Sequence, residues 1–200
     1  MTIEIEKAFY YDGSLLSHTE IVDGEKHGCS KTYYLSGKLD EICYYKNDRL
    51  DGEYKKYYEN GNIEMEEYYE DGSLNGECRC YDEDGNLTEK YTYLNGCKDG
   101  EYFEYENGLL KTKCEYYRDE YMGECLVGDY FNYYPNGNLK DLCCYEDDRK
   151  NGDFKTFYEN GQLKSKGEYV NGNKQGNEYK YNENGDLIET IFHSDDSGSD

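Results

Sequence analysis

The sequence has no tryptophan, a single proline and only 22 Lys and Arg residues against 45 Asp and Glu residues, so its formal net charge is -23. This shortage of basic residues disfavours nucleic acid, because proteins bind phosphates through Lys and Arg. It also disfavours anionic membrane surfaces, which attract basic segments. Partners with basic patches would instead be attracted. We therefore predict a protein partner rich in basic residues.

Long apolar runs are also missing. No stretch approaches the length that spans a bilayer, and the opening Met-Thr-Ile-Glu-Ile-Glu-Lys lacks the apolar core of a signal peptide. We predict a cytoplasmic protein. Sustained helical spacing of apolar residues is absent too, which predicts almost no helix.

The sequence does contain a regular glycine repeat. First glycines are spaced by 24 residues at Gly28, Gly52, Gly76 and Gly100, and again at Gly128, Gly152 and Gly176. Second glycines follow nine residues later at Gly37, Gly61, Gly85, Gly137, Gly161 and Gly185. A fixed period of this length indicates stacked supersecondary units. Because a repeat distributes its side chains evenly and catalysis needs one singular constellation, we predict that the chain is not an enzyme.

The residues around the second glycine predict hairpins. Asn or Asp usually precedes it between aromatic runs, which is a strong hairpin signal. A three-residue loop, Glu59-Asn60-Gly61, would place Tyr57 opposite Ile63, and Pro135 fits the first position of the same loop in another unit. We predict an all-β, elongated single-layer antiparallel meander of stacked hairpins. It would have about fifteen or sixteen strands and, at roughly 4.8 Å per strand, a length of about 70–75 Å.

Alternation assigns the tyrosines to two faces. Residues equivalent to Tyr57, Ile63 and Tyr69 are predicted to share the packed face. The opposite face would carry a second set of tyrosines: Tyr10, Tyr34, Tyr44, Tyr58, Tyr68, Tyr134 and Tyr158, together with Tyr117. Tyrosine suits interfaces because it offers large contact area at low entropic cost. We predict a tyrosine-lined, acid-rimmed groove for a basic protein segment or a second copy; alternatively, these rings pack only on each other.

The predicted domain organisation is one repeat array over residues 1–193, with a capping strand at 1–8 and an acidic disordered tail at 194–200. Loops such as 71–76 would link consecutive hairpins. The segment 100–128 is irregular: one spacing is a residue short, which requires a bulge or kink. About five residues are inserted near Gly123–Gly128, either as a tolerated loop or as a bend that shapes a partner site.

The cysteines and histidines suggest no catalytic or metal chemistry. Cys43, Cys114 and Cys143 occupy equivalent repeat positions, too far apart for disulfides, so we predict packing residues in a reducing compartment. Cys78 and Cys80 with Cys97 leave a zinc site as the alternative. The histidines His18, His27 and His193 are scattered. We predict no catalytic residues, no metal and no cofactor.

The repeat core resembles MORN repeats of the variant subclass with a Tyr-Tyr-x-Asn-Gly-x-Leu core. The motif stands at 57–63 as Tyr-Tyr-Glu-Asn-Gly-Asn-Ile and at 157–163 as Phe-Tyr-Glu-Asn-Gly-Gln-Leu. The resemblance implies an elongated sheet with one hairpin per repeat, binding or scaffolding roles and no catalytic residues. Similar bacterial proteins are described as antitoxin-like, and similar arrays occur in large DNA viruses. The alternatives to a scaffold are therefore a stoichiometric toxin inhibitor and membrane-surface association. The open sheet end also allows homo-oligomers.

Overall fold

The structure, a computed structural model, describes residues 2–119 and 123–194. These residues form eighteen strands and no helix. The strands are β1 (Ile3–Phe9), β2 (Leu15–Val22), β3 (Glu25–Tyr33), β4 (Leu39–Lys46), β5 (Arg49–Tyr57), β6 (Ile63–Glu70), β7 (Ser73–Leu74), β8 (Gly76–Tyr81), β9 (Leu87–Leu94), β10 (Cys97–Lys98), β11 (Gly100–Glu106), β12 (Leu109–Asp119), β13 (Gly123–Tyr133), β14 (Leu139–Glu146), β15 (Arg149–Phe157), β16 (Leu163–Val170), β17 (Asn173–Tyr181) and β18 (Leu187–His193). No helix long and apolar enough to cross a bilayer occurs in the described ranges.

The chain divides into two compact units, Met1–Lys98 and Asp99–Asp200. In each unit the long strands pair antiparallel with their neighbours along the chain, as in β1 with β2 and β11 with β12. The two-residue strands β7 and β10 pair with β6 and β9, and β8 also pairs with β6. The predicted all-β antiparallel meander of hairpin repeats is confirmed. Because the two-residue strands β7 and β10 count separately from the strands that follow them, the count exceeds the predicted fifteen or sixteen.

The hairpin turn at the second glycine has the predicted three-residue loop. Tyr57 lies opposite Ile63. The Gly61 amide donates to the Tyr58 carbonyl at 2.8 Å, and the Tyr58 amide donates to the Asn62 carbonyl at 2.9 Å. Gly61 has a φ of 97°, a conformation that glycine adopts without steric cost. The repeated Asn-Gly pair is therefore a requirement of the turn.

The turns at the other end of the hairpins are shorter than predicted. Glu70 pairs with Ser73, and both residues between them, Asp71 and Gly72, have positive φ values of 47° and 87°. This is the two-residue turn whose twist matches that of the flanking strands. The predicted six-residue loop 71–76 is wrong, because its central residues already form β7.

The first glycine of the repeat lies at a bulge between neighbouring hairpins. The pairing of β4 with β5 shifts register between Cys43 and Tyr45, which leaves Tyr44 unpaired. Gly52 faces this point with a φ of 121°, and a Cβ on it would lie 3.3 Å from the Cβ of Tyr44. The 24-residue glycine period thus follows from one bulge per repeat.

The irregular segment keeps its register by changing its turn. Tyr105 still pairs with Leu110, as Tyr57 does with Ile63, but the connection is now the two-residue turn Asn107–Gly108. The turn is thus one residue shorter, which accounts for the shorter glycine spacing. The register shift beside Tyr105 is the one that every repeat has. The predicted loop insertion is corrected as well, because β12 and β13 are lengthened to 11 residues each. Residues 120–122 and the predicted tail at 195–200 lie outside the described residues.

Packing is concentrated on one face of each meander, which we call the cysteine face. Its buried apolar residues include Cys43, Cys78, Cys114, Cys143 and Phe154. Rings cover the small residues: Tyr54 packs against Tyr69 with centroids 6.0 Å apart, and Phe154 against Tyr169 at 4.9 Å. None of the nine cysteines, all within the described residues, forms a disulfide. Burial raises the pKa of the Cys78 thiol to about 12, which suits a packing residue.

Candidate binding surface

Five of the tyrosines predicted to bind a partner join neighbouring repeats instead. The Tyr58 hydroxyl donates a 2.8 Å hydrogen bond to the backbone carbonyl of Tyr81 in the next repeat. The equivalent bonds run from Tyr10 to Tyr33, from Tyr34 to Tyr57, from Tyr134 to Phe157 and from Tyr158 to Tyr181. We call these five residues the tyrosine ladder. Each ladder ring is half-buried, and its hydroxyl already has a partner within the chain.

Asparagine side chains of the same turns reinforce the ladder. The Asn60 and Asn62 amides donate to the Glu83 carbonyl at 2.6 and 2.8 Å. In the second unit Asn136 and Asn138 both donate to the Glu159 carbonyl at 2.8 Å. The consensus tyrosine and asparagines of the repeat are thus explained by bonds between repeats.

Local electrostatics keep two of the ladder hydroxyls, those of Tyr34 and Tyr58, protonated. Burial, with the nearby Asp40 and other carboxylates, raises the pKa of Tyr34 to about 12. Burial and the Glu64 carboxylate raise the pKa of Tyr58 as well. A protonated phenol is required to donate to a carbonyl oxygen, so these surroundings preserve the hydrogen bonds of Tyr34 and Tyr58 at neutral and moderately alkaline pH.

The strand register assigns the remaining tyrosines to faces. Residues opposite each other on paired strands share a face. Gly52 pairs with Tyr69, and Tyr54 shares that face through its ring contact. Glu53 pairs with Tyr68, so both lie on the opposite side, which we call the charged face.

A bulge in each hairpin breaks simple alternation. Lys56 lies opposite Met65, but Tyr57 lies opposite Ile63, so β6 carries one extra residue at this point. Tyr57 and Ile63 therefore lie on the charged face, whereas Tyr69 lies on the cysteine face. The prediction that these three share one face is wrong, because counting residues does not reveal a bulge.

The same bulge separates the predicted binding tyrosines. Glu64 contacts Lys56 at 3.0 Å on the cysteine face. Lys140 and Lys164 occupy the position of Glu64 in their repeats, and their ammonium groups lie 5.9 and 5.5 Å from the ring centroids of Tyr134 and Tyr158. Tyr58 and its equivalents therefore belong to the cysteine face. Tyr44 and Tyr68 belong to the charged face, so the predicted grouping of all seven tyrosines on one surface is wrong.

The charged face of the first unit presents two exposed tyrosines with two carboxylates. Tyr44 is 41% exposed and Tyr68 is 47% exposed, and their Cβ atoms lie beside Gly52 and Gly76. No hydrogen bond engages either hydroxyl in the described residues. Glu53 and Glu77 complete what we call the tyrosine–glutamate row: Tyr44, Glu53, Tyr68 and Glu77. The side chain of Glu53 is 67% exposed and that of Glu77 is 36% exposed.

Basic side chains lie beside this row. Lys55 contacts Glu66 at 3.3 Å, and Lys90 contacts Glu77 at 2.6 Å. The hydrogen bond from Lys90, with the nearby Arg79, lowers the pKa of Glu77. Glu77 therefore stays anionic well below neutral pH. Phenols beside carboxylates on an open sheet provide contacts for cationic side chains, but no nucleophile held by a base. Sequence reasoning missed Glu53 and Glu77, although both directly follow a first glycine.

The alternative metal site finds no support in the geometry. Within residues 2–119 and 123–194, no group of three His, Cys, Asp or Glu side chains is placed to hold a metal ion. Cys78 is 1% exposed within the packed face, and the sulfur of Cys80 lies 3.5 Å from the Tyr91 hydroxyl. These thiols act as packing groups.

The model of the MORN repeat variant family matches residues 26–47, 50–71, 74–95, 126–147 and 150–171, more than half of the chain. No curated protein matches. Among solved structures, the chain is 12% identical to the TcdB2-TccC3 chain in its Cdc42 complex and in a form without the hypervariable C-terminal region. Each of these two matches covers 92% of this sequence but only 13% of the TcdB2-TccC3 chain, with TM-scores of 0.22 and 0.21. A protein of unknown function from Bacteroides fragilis NCTC 9343 is 9% identical over 96% of this chain and 92% of its own, with a TM-score of 0.13. Likenesses this distant carry no argument about function.

Proposed function

Because the chain belongs to the MORN repeat variant family, whose repeats typically mediate contacts with proteins or membranes, we propose that it is a non-catalytic protein-binding scaffold. The partner is held on the tyrosine–glutamate row of the first unit. It carries a basic segment, and binding takes place in the cytosol.

The observation that carries this proposal is the contrast between two sets of tyrosines. The ladder hydroxyl of Tyr58 is engaged within the chain. Tyr44 and Tyr68 are nearly half exposed, and in the described residues their hydroxyls have no hydrogen bond. Exposed tyrosines held on a rigid sheet are favourable anchors for a partner, because little side-chain entropy is lost when they are covered.

The charge of the row supports a basic partner. Glu53 and Glu77 lie beside the exposed rings, and the whole chain carries a net charge of -23. Lys or Arg side chains of a partner would find carboxylates for ion pairs and phenol faces for cation–π contacts. The long-range field would also accelerate the encounter at low salt.

Photocrosslinking tests the site. p-Benzoylphenylalanine replaces Tyr68 in one protein and Tyr58 in a matched control, and each is irradiated in native lysate before mass spectrometry. We expect one basic protein to be crosslinked from position 68 and not from position 58, and the crosslink to weaken at raised salt. Crosslinks from position 58 alone, or equal yields from both positions, would contradict the proposal.

The alternative functions predict other experimental outcomes. A partner that is an enzyme and loses its activity at a one-to-one ratio would make the chain an antitoxin-like inhibitor. Flotation with anionic liposomes in place of a protein partner would indicate membrane-surface association, which the net charge of -23 disfavours. Recovery of the chain alone would indicate self-assembly.

A further inference from the structure

The tyrosine ladder is interrupted in the second unit at Glu106. The residue after Tyr57 in the repeat is the ladder tyrosine, Tyr58, and the residue after the equivalent Tyr105 is Glu106. Its carboxylate points toward Lys111, with 3.9 Å between the charged atoms. In the described residues no side chain donates to the backbone carbonyl of Tyr133, the atom that corresponds to the acceptor of a ladder tyrosine.

The strands around this interruption keep the register of an ordinary repeat. Thr112 pairs with Asn132, and Lys113 pairs with Phe131. In the first unit the corresponding pairs are Met65 with Cys80, and Glu66 with Arg79. The Tyr133 carbonyl therefore stands, relative to position 106, where the Tyr81 carbonyl stands relative to Tyr58. Only the phenol ring of a ladder tyrosine is missing at position 106.

A cleft of about 420 Å³ lies at this place, within the range of small-ligand sites. It is lined by Glu106, Leu109, Leu110, Tyr133, Tyr134 and Pro135. Leu109 is 46% exposed, so an apolar wall remains open to a ligand. The ring of Tyr134 forms another wall, with the Lys140 ammonium 5.9 Å from its centroid.

We propose that this cleft binds a tyrosine side chain presented by a partner protein. The chain itself defines the fit, because five of its own repeats fill the equivalent place with a phenol ring whose hydroxyl donates to the equivalent carbonyl. A partner ring would pack against Leu109 and Tyr134 and donate to the Tyr133 carbonyl. The site is in the second unit and does not depend on the tyrosine–glutamate row of the first.

Amide-resolved NMR titration tests the site with soluble probes: N-acetyl-tyrosinamide, N-acetyl-phenylalaninamide and p-cresol. N-acetyl-tyrosinamide should shift the amide signals of residues 105–111, 132–134 and 136. It should bind about fivefold more tightly than the phenylalanine analogue, which lacks the hydroxyl and leaves the carbonyl unpaired. Glu106→Gln keeps the cleft open and should retain binding. Glu106→Tyr supplies the missing ladder residue, so it should abolish binding and raise the melting temperature.

Several results would overturn the proposal. Equal affinity for the two amides would show that no bond to Tyr133 is made. Binding of p-cresol without binding of N-acetyl-tyrosinamide would show a cleft for free phenols that excludes a protein-borne side chain. Retained binding in a folded Glu106→Tyr variant, verified by circular dichroism, would place the probe elsewhere. Substitution of Tyr44 and Tyr68 should leave these titrations unchanged, so failure here is separable from failure of the proposed scaffold function.

Discussion

The hydroxyl of Tyr58 donates a 2.8 Å hydrogen bond to the backbone carbonyl of Tyr81, 23 residues further along the chain. This bond links one repeat to the next at the end of the hairpin where the three-residue turn lies. Its recurrence explains why the repeat retains a tyrosine at a position that looks available for binding. The ladder tyrosines thus have a structural role, and the recognition role that we propose belongs to the exposed row.

Tyr58→Phe should destabilise the first unit by about 1 kcal/mol, since it removes one hydrogen bond and leaves a carbonyl less satisfied. Urea-induced unfolding followed by circular dichroism measures the change. Tyr68→Phe is the matched control, because in the described residues that hydroxyl has no partner, and its stability should match the wild type. Equal effects of the two substitutions would show that the ladder bond contributes nothing.

Gly167→Ala should destabilise the second unit by about 1–3 kcal/mol through overpacking. An added Cβ would lie 2.7 Å from Cε1 of Phe154, whose side chain is 5% exposed. Phe154→Leu in the same chain should recover part of the loss, which a double-mutant cycle of unfolding free energies would show as coupling. Additive losses would mean that the ring does not cover Gly167.

Glu178→Gln should lower the free energy of unfolding by about 1.5–3 kcal/mol at pH 7. The Glu178 side chain is 6% exposed, and its carboxylate accepts a hydrogen bond from Lys174 at 2.6 Å and contacts His193 at 2.9 Å. Burial opposes ionisation, but these two hydrogen bonds outweigh it and lower the pKa of Glu178 below 4.5. A lowered folded pKa gives stability above the unfolded pKa that is lost as the pH falls through the folded one.

The difference between wild type and Glu178→Gln in unfolding free energy should therefore shrink as the pH is lowered from 5 toward 2. Glu189→Gln serves as the control, because the Glu189 side chain in its ion pair with Lys180 is 52% exposed and should contribute little to stability. A constant difference in unfolding free energy across this pH range would show that the contacts of Glu178 with Lys174 and His193 do not contribute to stability.

Glu67→Gln should change the free energy of unfolding at pH 7 in the opposite direction. Burial among the rings of the cysteine face raises the pKa of Glu67 above 4.5, even though the Tyr69 hydroxyl donates to it at 2.9 Å. A raised folded pKa means that stability is present below the unfolded pKa and lost as the pH rises through the folded one. The variant should thus be the more stable protein at pH 7, and the gap should close on acidification.

The sequence predicted the hairpin repeat and its main turn because both depend on local signals. Asn60-Gly61 with Tyr57 and Ile63 on either side specifies one loop length. The family resemblance rested on the same residues. The two-residue turns at Asp71–Gly72 were missed, since the residues that follow have the polar composition of a loop although they pair as a strand.

The candidate site was predicted only in part, and the reason is the bulge between Lys56 and Tyr57. Alternation assigns faces correctly only where the register is unbroken. Tyr44 and Tyr68 were identified among the exposed tyrosines, but they were grouped with ladder residues that lie on the other face. The bonds between repeats were also beyond local reasoning, because they join residues 21 to 23 positions apart.

The measurement that tests the central claim most directly compares two double variants by stability and by recovery of the crosslinked basic protein. Tyr44→Ser with Tyr68→Ser should keep the wild-type unfolding free energy to within about 0.5 kcal/mol, as expected for exposed positions, and lose the partner. Tyr34→Phe with Tyr58→Phe should lose about 2 kcal/mol, one hydrogen bond at each site, and retain the partner. The reverse outcome, with the partner lost from a folded ladder variant and kept by the serine variant, would contradict the account.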